Sequence, residues 1–268
     1  MIKSKSKESL YDKALKAKEE GLPNADFLAG KVIKFLEKQG ELMGAAYAAE
    51  TLGLLVKAME LYEKTENYLL AAYMAEKLCL EKERLNFYNK EMNKLIKNKD
   101  LYGAARIAEI AGFFERAVEL NCENNDFINA IKTAKENNLE VLLKKIGKYA
   151  IEDFSMEGEF KYAGYAAEAI GEHEKAKDLY KKAIKIYEDK HDLLLAFILR
   201  EIAGLPHTFT EEHTINEKQP LTLTDSIDTN TCKEIKDLFQ LEIDIQEHFG
   251  LTEIAKKTKE KALKLYFR

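Results

Sequence analysis

Three glycines constrain what this chain can fold into. Gly53, Gly112 and Gly171 stand 59 residues apart in succession, and each closes the same short frame: Glu50-Thr51-Leu52-Gly53, Glu109-Ile110-Ala111-Gly112 and Glu168-Ala169-Ile170-Gly171. The frame extends on both sides, with Ala45, Ala104 and Ala163 before the glycine, Ala58, Ala117 and Ala176 after it, and then Leu61, Leu120 and Leu179. Tyr62 and Tyr180 share a further column, where the middle copy has Asn121. A period of this kind marks stacked helical units, because a pair of short amphipathic helices buries its apolar surface only when a neighbour leans on it.

Weaker copies lie between the strong ones. Ala71-Ala72-Tyr73-Met74-Ala75-Glu76 repeats Ala45-Ala46-Tyr47-Ala48-Ala49-Glu50 at a shift of 26, and Ala130 and Ala134 repeat Ala104 and Ala108 at the same shift. Glu201-Ile202-Ala203-Gly204 follows Gly171 by 33. Since 26 and 33 together make 59, the period reads as two hairpins, one tight and one with longer helices or a longer turn, and about six hairpins in all.

Each part of the frame has a physical role. Ala45, Ala49 and Leu52 fall on one stripe of a first helix, and their small side chains let a partner helix approach closely. A glycine at position 53 can take the left-handed conformation that ends a helix. Leu55, Ala58, Met59 and Tyr62 then mark the buried stripe of a second helix.

A small residue in each helix, a glycine at the turn and an aromatic near the end of the second helix resemble the tetratricopeptide repeat and the wider α-solenoid group that includes vesicle-coat subunits. The resemblance covers Leu42 to Gly204, with an alternating 26 and 33 spacing, alanine where larger apolar residues are usual, and no proline closing each repeat. It implies an all-α, α-α superhelix whose first helices line a concave face. The column before each turn then faces a groove: Tyr47, Tyr73, Arg106 and Tyr165, with Glu50, Glu76, Glu109, Glu168 and Glu201 one turn on. Tyrosine and arginine offer large contact area with a polar end and are energetic at interfaces, while a glutamate ladder favours a basic peptide.

Composition agrees with an almost wholly helical chain. Three prolines and thirteen glycines in 268 residues, with Ala, Leu, Lys and Glu dominant, leave few breaks. The net charge of −5 gives no global field for phosphate binding, so nucleic acid is a secondary reading. The charge is uneven, however: residues 1 to 18 carry +4, residues 256 to 268 carry +5, and the segment between holds −14. A basic partner in the groove or antiparallel contact with a second copy are both compatible with that pattern. Cys79, Cys122 and Cys232 are odd in number, widely spaced and without a CxxC, which argues against structural disulfides and a zinc site. No apolar stretch follows the basic start, and the longest apolar run, Leu193 to Leu199, is too short to span a bilayer, so a cytoplasmic protein is expected.

The repeats are expected to be capped. Ser4 to Glu20 reads as a first helix and Asn24 caps a second through Gln39, with Phe27, Val32, Phe35 and Leu36 on its buried stripe. Residues 1–39 form the N-terminal cap, 40–204 the hairpin repeats, 205–231 a threonine-rich loop holding two prolines, and 232–268 a closing hairpin divided at Gly250. In the repeats, Glu81 to Lys97 and Leu139 to Phe154 read as longer helices.

Chemistry has little footing. His207 and His213 with Glu211 and Glu212 match no recurring ligand spacing, and His173, His191 and His248 read as helix-surface residues without a paired nucleophile. No glycine-rich phosphate loop, GxSxG or HExxH occurs. The expected function is therefore non-enzymatic binding of a protein or peptide on the concave face, with no cofactor and no metal. Two alternatives remain: a nucleic-acid-associated regulator using the basic terminal helices, and an enzyme with its site under the 205–231 loop.

Overall fold

The computed structural model describes residues 9–205 and 229–266, and these form fifteen α-helices with no strand among them. In chain order they are α1 (Leu10–Glu19), α2 (Ala25–Gln39), α3 (Leu42–Thr51), α4 (Leu55–Lys64), α5 (Tyr68–Lys77), α6 (Glu81–Lys97), α7 (Leu101–Ala111) and α8 (Phe114–Glu123). They continue with α9 (Phe127–Glu136), α10 (Glu140–Met156), α11 (Phe160–Ala169), α12 (His173–Asp189), α13 (Leu193–Ala203), α14 (Thr229–His248) and α15 (Thr252–Tyr266). The chain is all-α and built of consecutively packed helical hairpins in the α-α solenoid manner. It divides into two compact units, Met1–Phe113 and Phe114–Arg268, so the division falls inside the 40–204 repeat stretch.

The unequal spacing of the repeats has a simple cause. The second helices α4 and α8 are 10 residues long, whereas α6, α10 and α12 are 17. The extra seven residues are two helical turns, which is the difference between a 26- and a 33-residue hairpin. The first helices stay at 10 or 11 residues throughout.

The alanine columns are the seam. Ala45, Ala49, Ala71, Ala75, Ala104, Ala108, Ala130, Ala134, Ala163 and Ala167 are fully buried on the first helices, and Ala58, Ala117 and Ala176 on the second. Tyr62 and Tyr180 fill the space beside them and are also buried. At Gly164, where a Cβ would stand inside the Tyr180 ring, the aromatic packs directly on the α11 backbone.

Charged side chains tie alternate helices into two layers within the first unit. On the first-helix side, the Lys18 ammonium donates to the Leu52 carbonyl at 2.5 Å, linking α1 to the end of α3, and Lys77 reaches Glu50 at 3.4 Å, linking α5 to α3. On the other side Lys57 meets Glu37 at 2.9 Å, Lys90 pairs with Glu63, and Lys94 donates to the Glu66 carbonyl, linking α2, α4 and α6. Exposed pairs of this kind each contribute at most about 1 kcal/mol, so they record the layering more than they create it.

The junctions are uniform. Gly112 adopts φ +79°, its N–H donates to the Glu109 carbonyl at 3.0 Å, and that of Phe113 donates to the Ala108 carbonyl at 2.8 Å, the paired bonds of a left-handed helix stop. Six junctions use a residue other than glycine in the same conformation: Glu66, Cys79, Lys99, Asn125, Asn138 and His191. At Lys99, φ is +62° and Asp100 N–H still donates to the Leu95 carbonyl. The opposite ends are capped by Asp100, Asp126 and Asp192, whose carboxylates accept from Gly103, Asn129 and Leu195 N–H.

Several expectations change. The first described helix begins at Leu10, where Ser9 caps it and exchanges hydrogen bonds with Asp12, and residues 4–8 of the expected helix lie outside the described residues. On α2 the buried stripe is Ala29, Val32 and Ile33, while Phe27 and Phe35 are exposed and the Lys31 ammonium lies 4.3 Å over the Phe27 ring. His191 occupies a turn instead of a helix. The last hairpin begins at Thr229 and turns at Gly250, with Leu251, Ala255 and Thr258 buried. His207, Glu211, Glu212 and His213 lie outside the described residues.

Because left-handed backbone strains a side-chain-bearing residue by about 1 kcal/mol, Lys99→Gly is expected to raise the thermal midpoint by a few degrees. Gly112→Ala should lower it by a similar amount; circular dichroism melts of the two variants check both signs.

Candidate partner-binding face

The two units carry the same structural frame on their first helices. In the first unit Tyr47 of α3 packs edge-on against Tyr62 of α4, with ring centroids 5.8 Å apart at 84°. In the second unit Tyr165 of α11 meets Tyr180 of α12 in the same way, at 5.7 Å and 65°. Both members of the second pair stand 118 residues beyond those of the first, two full periods. What covers the frame differs between the units.

In the first unit it is open. Tyr47 is 52% exposed and Tyr73, its counterpart on α5, is 46% exposed, with the Lys77 ammonium 4.2 Å over the Tyr73 ring. Arg106, the counterpart on α7, is exposed, and its guanidinium lies 3.4 Å from the Tyr102 hydroxyl, a long and weak hydrogen bond. One turn before the column stand Leu69 and Tyr102, one turn after it Ile110, all exposed. Sequence reasoning missed these three, although the 33-residue shift that relates Tyr73 to Arg106 also relates Leu69 to Tyr102 and Lys77 to Ile110.

The glutamates are mostly engaged in the fold. Glu50 accepts from the Tyr62 hydroxyl at 2.6 Å and pairs with Lys77. Burial, and then the Glu50 carboxylate, push the Tyr62 phenol well above its ordinary range. Glu168 lies 2.7 Å from His173 Nδ1, and only 14% of its side chain is exposed. Glu109 and Glu201 are half-buried and also engaged. Glu76 alone of the five is an exposed residue. The ladder thus acts mainly within the fold.

In the second unit the face is occupied. Tyr165, expected in a groove, is fully buried because α14 lies across α9, α11 and α13. Its hydroxyl donates to Glu242 Oε2 at 2.6 Å, while the Lys161 ammonium donates to Oε1 at 2.7 Å. Phe249 closes the site, 5.5 Å from the Tyr165 ring and stacked at 6.4 Å on Tyr162. The stripe laid down by α14 and the turn residue that follows it is Phe239, Glu242, Ile243, Gln246 and Phe249, all buried. A carboxylate and an amide in the middle of an apolar stripe were the visible signal for this contact.

The seat of α14 is polar and incompletely satisfied. Burial opposes the charged form of Lys161, but the Glu242 carboxylate outweighs it and holds the ammonium above its ordinary value. Burial and the Glu242 charge raise the Tyr165 phenol strongly. The Tyr180 hydroxyl and both polar atoms of the Gln246 side chain are buried without a hydrogen-bond partner among the described residues. Each such group costs about 1–3 kcal/mol relative to a paired one.

Elsewhere, burial raises the Cys122 thiol to about 11, which keeps it protonated and unreactive near neutrality, while Cys79 is exposed in its turn. No cluster of His, Cys, Asp or Glu among the described residues has the arrangement of a metal site, and no described helix is long and apolar enough to cross a membrane. A hollow of about 420 Å³ beside α4 is lined largely by apolar side chains, among them Leu54, Leu55, Val56 and Leu78.

Glu242→Ala strands a buried ammonium and is expected to lower stability by about 3–5 kcal/mol. Replacing both partners, as Lys161→Met with Glu242→Leu, should recover most of that loss, and denaturant titration of the single and double variants measures the difference. A double variant as weak as the single one contradicts this account of the pair.

No protein-family model matches the chain, and no curated protein matches it.

Proposed function

We propose that this chain is a non-enzymatic binding scaffold, a divergent tetratricopeptide-like solenoid that takes a segment of another protein on the first-helix face of residues 42–111. The observation that carries this reading is the set of half-exposed side chains at matching positions of three first helices: Tyr47 on α3, Leu69 and Tyr73 on α5, Tyr102 and Ile110 on α7. The monomer's own packing leaves these large apolar surfaces in water, and apolar patches edged by charged groups are typical of interaction sites. Arg106 and Lys77 supply the charged edge.

The contact chemistry differs from that of an acidic groove. With four of the five ladder glutamates engaged, the face offers aromatic area, three hydroxyls and a guanidinium. Tyrosine and arginine are the residue types that dominate alanine scans of interfaces.

The test is quantitative affinity capture from native cells with wild-type chain and with Tyr47→Ala combined with Tyr73→Ala. If each tyrosine contributes about 1–2 kcal/mol, the captured protein should fall by at least about tenfold. Val141→Ser, at a residue 87% exposed in the second unit, is the matched control and should change nothing. Equal capture by all three chains with unchanged helicity removes the face from the reading.

A further inference from the structure

The face left open in the first unit shares its tyrosine frame with the face that α14 covers in the second, although the residues around that frame differ. Tyr47 and Tyr62 reproduce the Tyr165 and Tyr180 pair two periods earlier, with nearly the same ring separation and an edge-on approach. In the second unit a helix fits there, crossing three first helices and placing a carboxylate on the tyrosine hydroxyl. The chain therefore carries its own example of what this surface accepts.

We infer that the occupant of the first unit's face is an amphipathic α-helix of a partner protein, with an apolar stripe and a carboxylate at its centre. This rests on the scaffold reading above and adds the form and charge of the ligand. An incoming carboxylate meets donors at the tyrosine position of all three first helices: the Tyr47 hydroxyl, the Tyr73 hydroxyl and the Arg106 guanidinium. Aromatic residues one to two turns to either side, as Phe239 within α14 and Phe249 just after it flank Glu242, cover Leu69, Tyr102 and Ile110.

The glutamate ladder does not exclude such a helix. In the second unit Glu168 holds the ladder position and Glu242 still docks beside it, both carboxylates adding to the burial that raises the Tyr180 phenol. Glu168 is turned to His173, just as Glu50 is turned to Tyr62 and Lys77. The acid on the incoming helix is received by donors, with the neighbouring carboxylate already engaged.

The probe is a fluorophore-labelled peptide of residues 236–250, which carries the α14 stripe, titrated into the 268-residue chain, which has no tryptophan to interfere. Saturable anisotropy is expected, weakened about tenfold or more by Tyr47→Ala with Tyr73→Ala, by Arg106→Gln, and by Glu242→Gln in the peptide. Ile243→Pro in the peptide, which breaks a helix, should abolish binding. Equal binding of the proline peptide means an extended ligand and overturns the inference. Binding that survives the tyrosine variant but is lost in Tyr165→Phe means exchange with α14 in its own seat, and also overturns it. A chain that sediments as a dimer and is dissociated by Tyr47→Ala assigns the face to a second copy, again against a partner helix. Should the peptide fail while the tyrosine variant still loses the captured protein, the scaffold reading stands and the helical, acidic ligand falls; loss of both effects removes the two together.

Discussion

Close approach between helices is the constraint from which the rest of this fold follows. Alanine at two positions a turn apart on each first helix from α3 to α11, and at one on the second helices α4, α8 and α12, is fully buried. Side chains this small bring backbones together and leave little volume for a conventional core, so the large residues must work at the edges of the seam. Tyr62 and Tyr180 fill the inner edge; Tyr47, Tyr73 and Tyr102 are left on the outer one. An alanine seam thus sorts the aromatics, and the outward set becomes the surface that another chain can use.

The same constraint explains what could be read from the sequence. The glycine register, the alanine columns and the buried second-helix tyrosines are local consequences of close packing, and each sits where the period places it. The alternation of 26 and 33 was visible as a number, and two extra turns on α6, α10 and α12 account for it. Four of the junctions were less visible, because Glu66, Cys79, Lys99 and His191 take a left-handed conformation that their side chains do not advertise. Phe27 and Phe35 misled for a different reason: α2 presents the smaller stripe of Ala29, Val32 and Ile33 to its neighbours, and the larger rings stay outside with Lys31.

The candidate site was legible only in part, since periodicity says which positions are equivalent and not what lies over them. Tyr47 and Tyr165 share a column, yet one is half-exposed and the other has no exposed surface. The difference is α14, which follows the repeats and lies outside their register, so no shift of 26, 33 or 59 could have located it. Its sequence carried a separate clue in Glu242 and Gln246, polar residues in a stripe otherwise made of Phe239, Ile243 and Phe249. A polar group in such a stripe demands a partner, and Lys161 and Tyr165 answer for the glutamate.

That cluster bears on how firmly the second face is held. A buried ion pair recovers in attraction little more than it loses in dehydration, and here the Gln246 amide and the Tyr180 hydroxyl add unpaired groups to the same interface. The apolar contacts of Phe239, Ile243 and Phe249 must therefore supply most of the attraction, while Lys161 and Glu242 fix where along α11 the helix sits. A seat built this way selects its occupant by position of charge as much as by area. Where a repeat architecture offers a nearly equivalent tyrosine face twice and fills it once from within, selection by charge position separates the internal helix from an external one. Lys161 marks the covered face; Met43, Leu69 and Tyr102 hold its register in the open one, where Arg106 has moved into the tyrosine column instead.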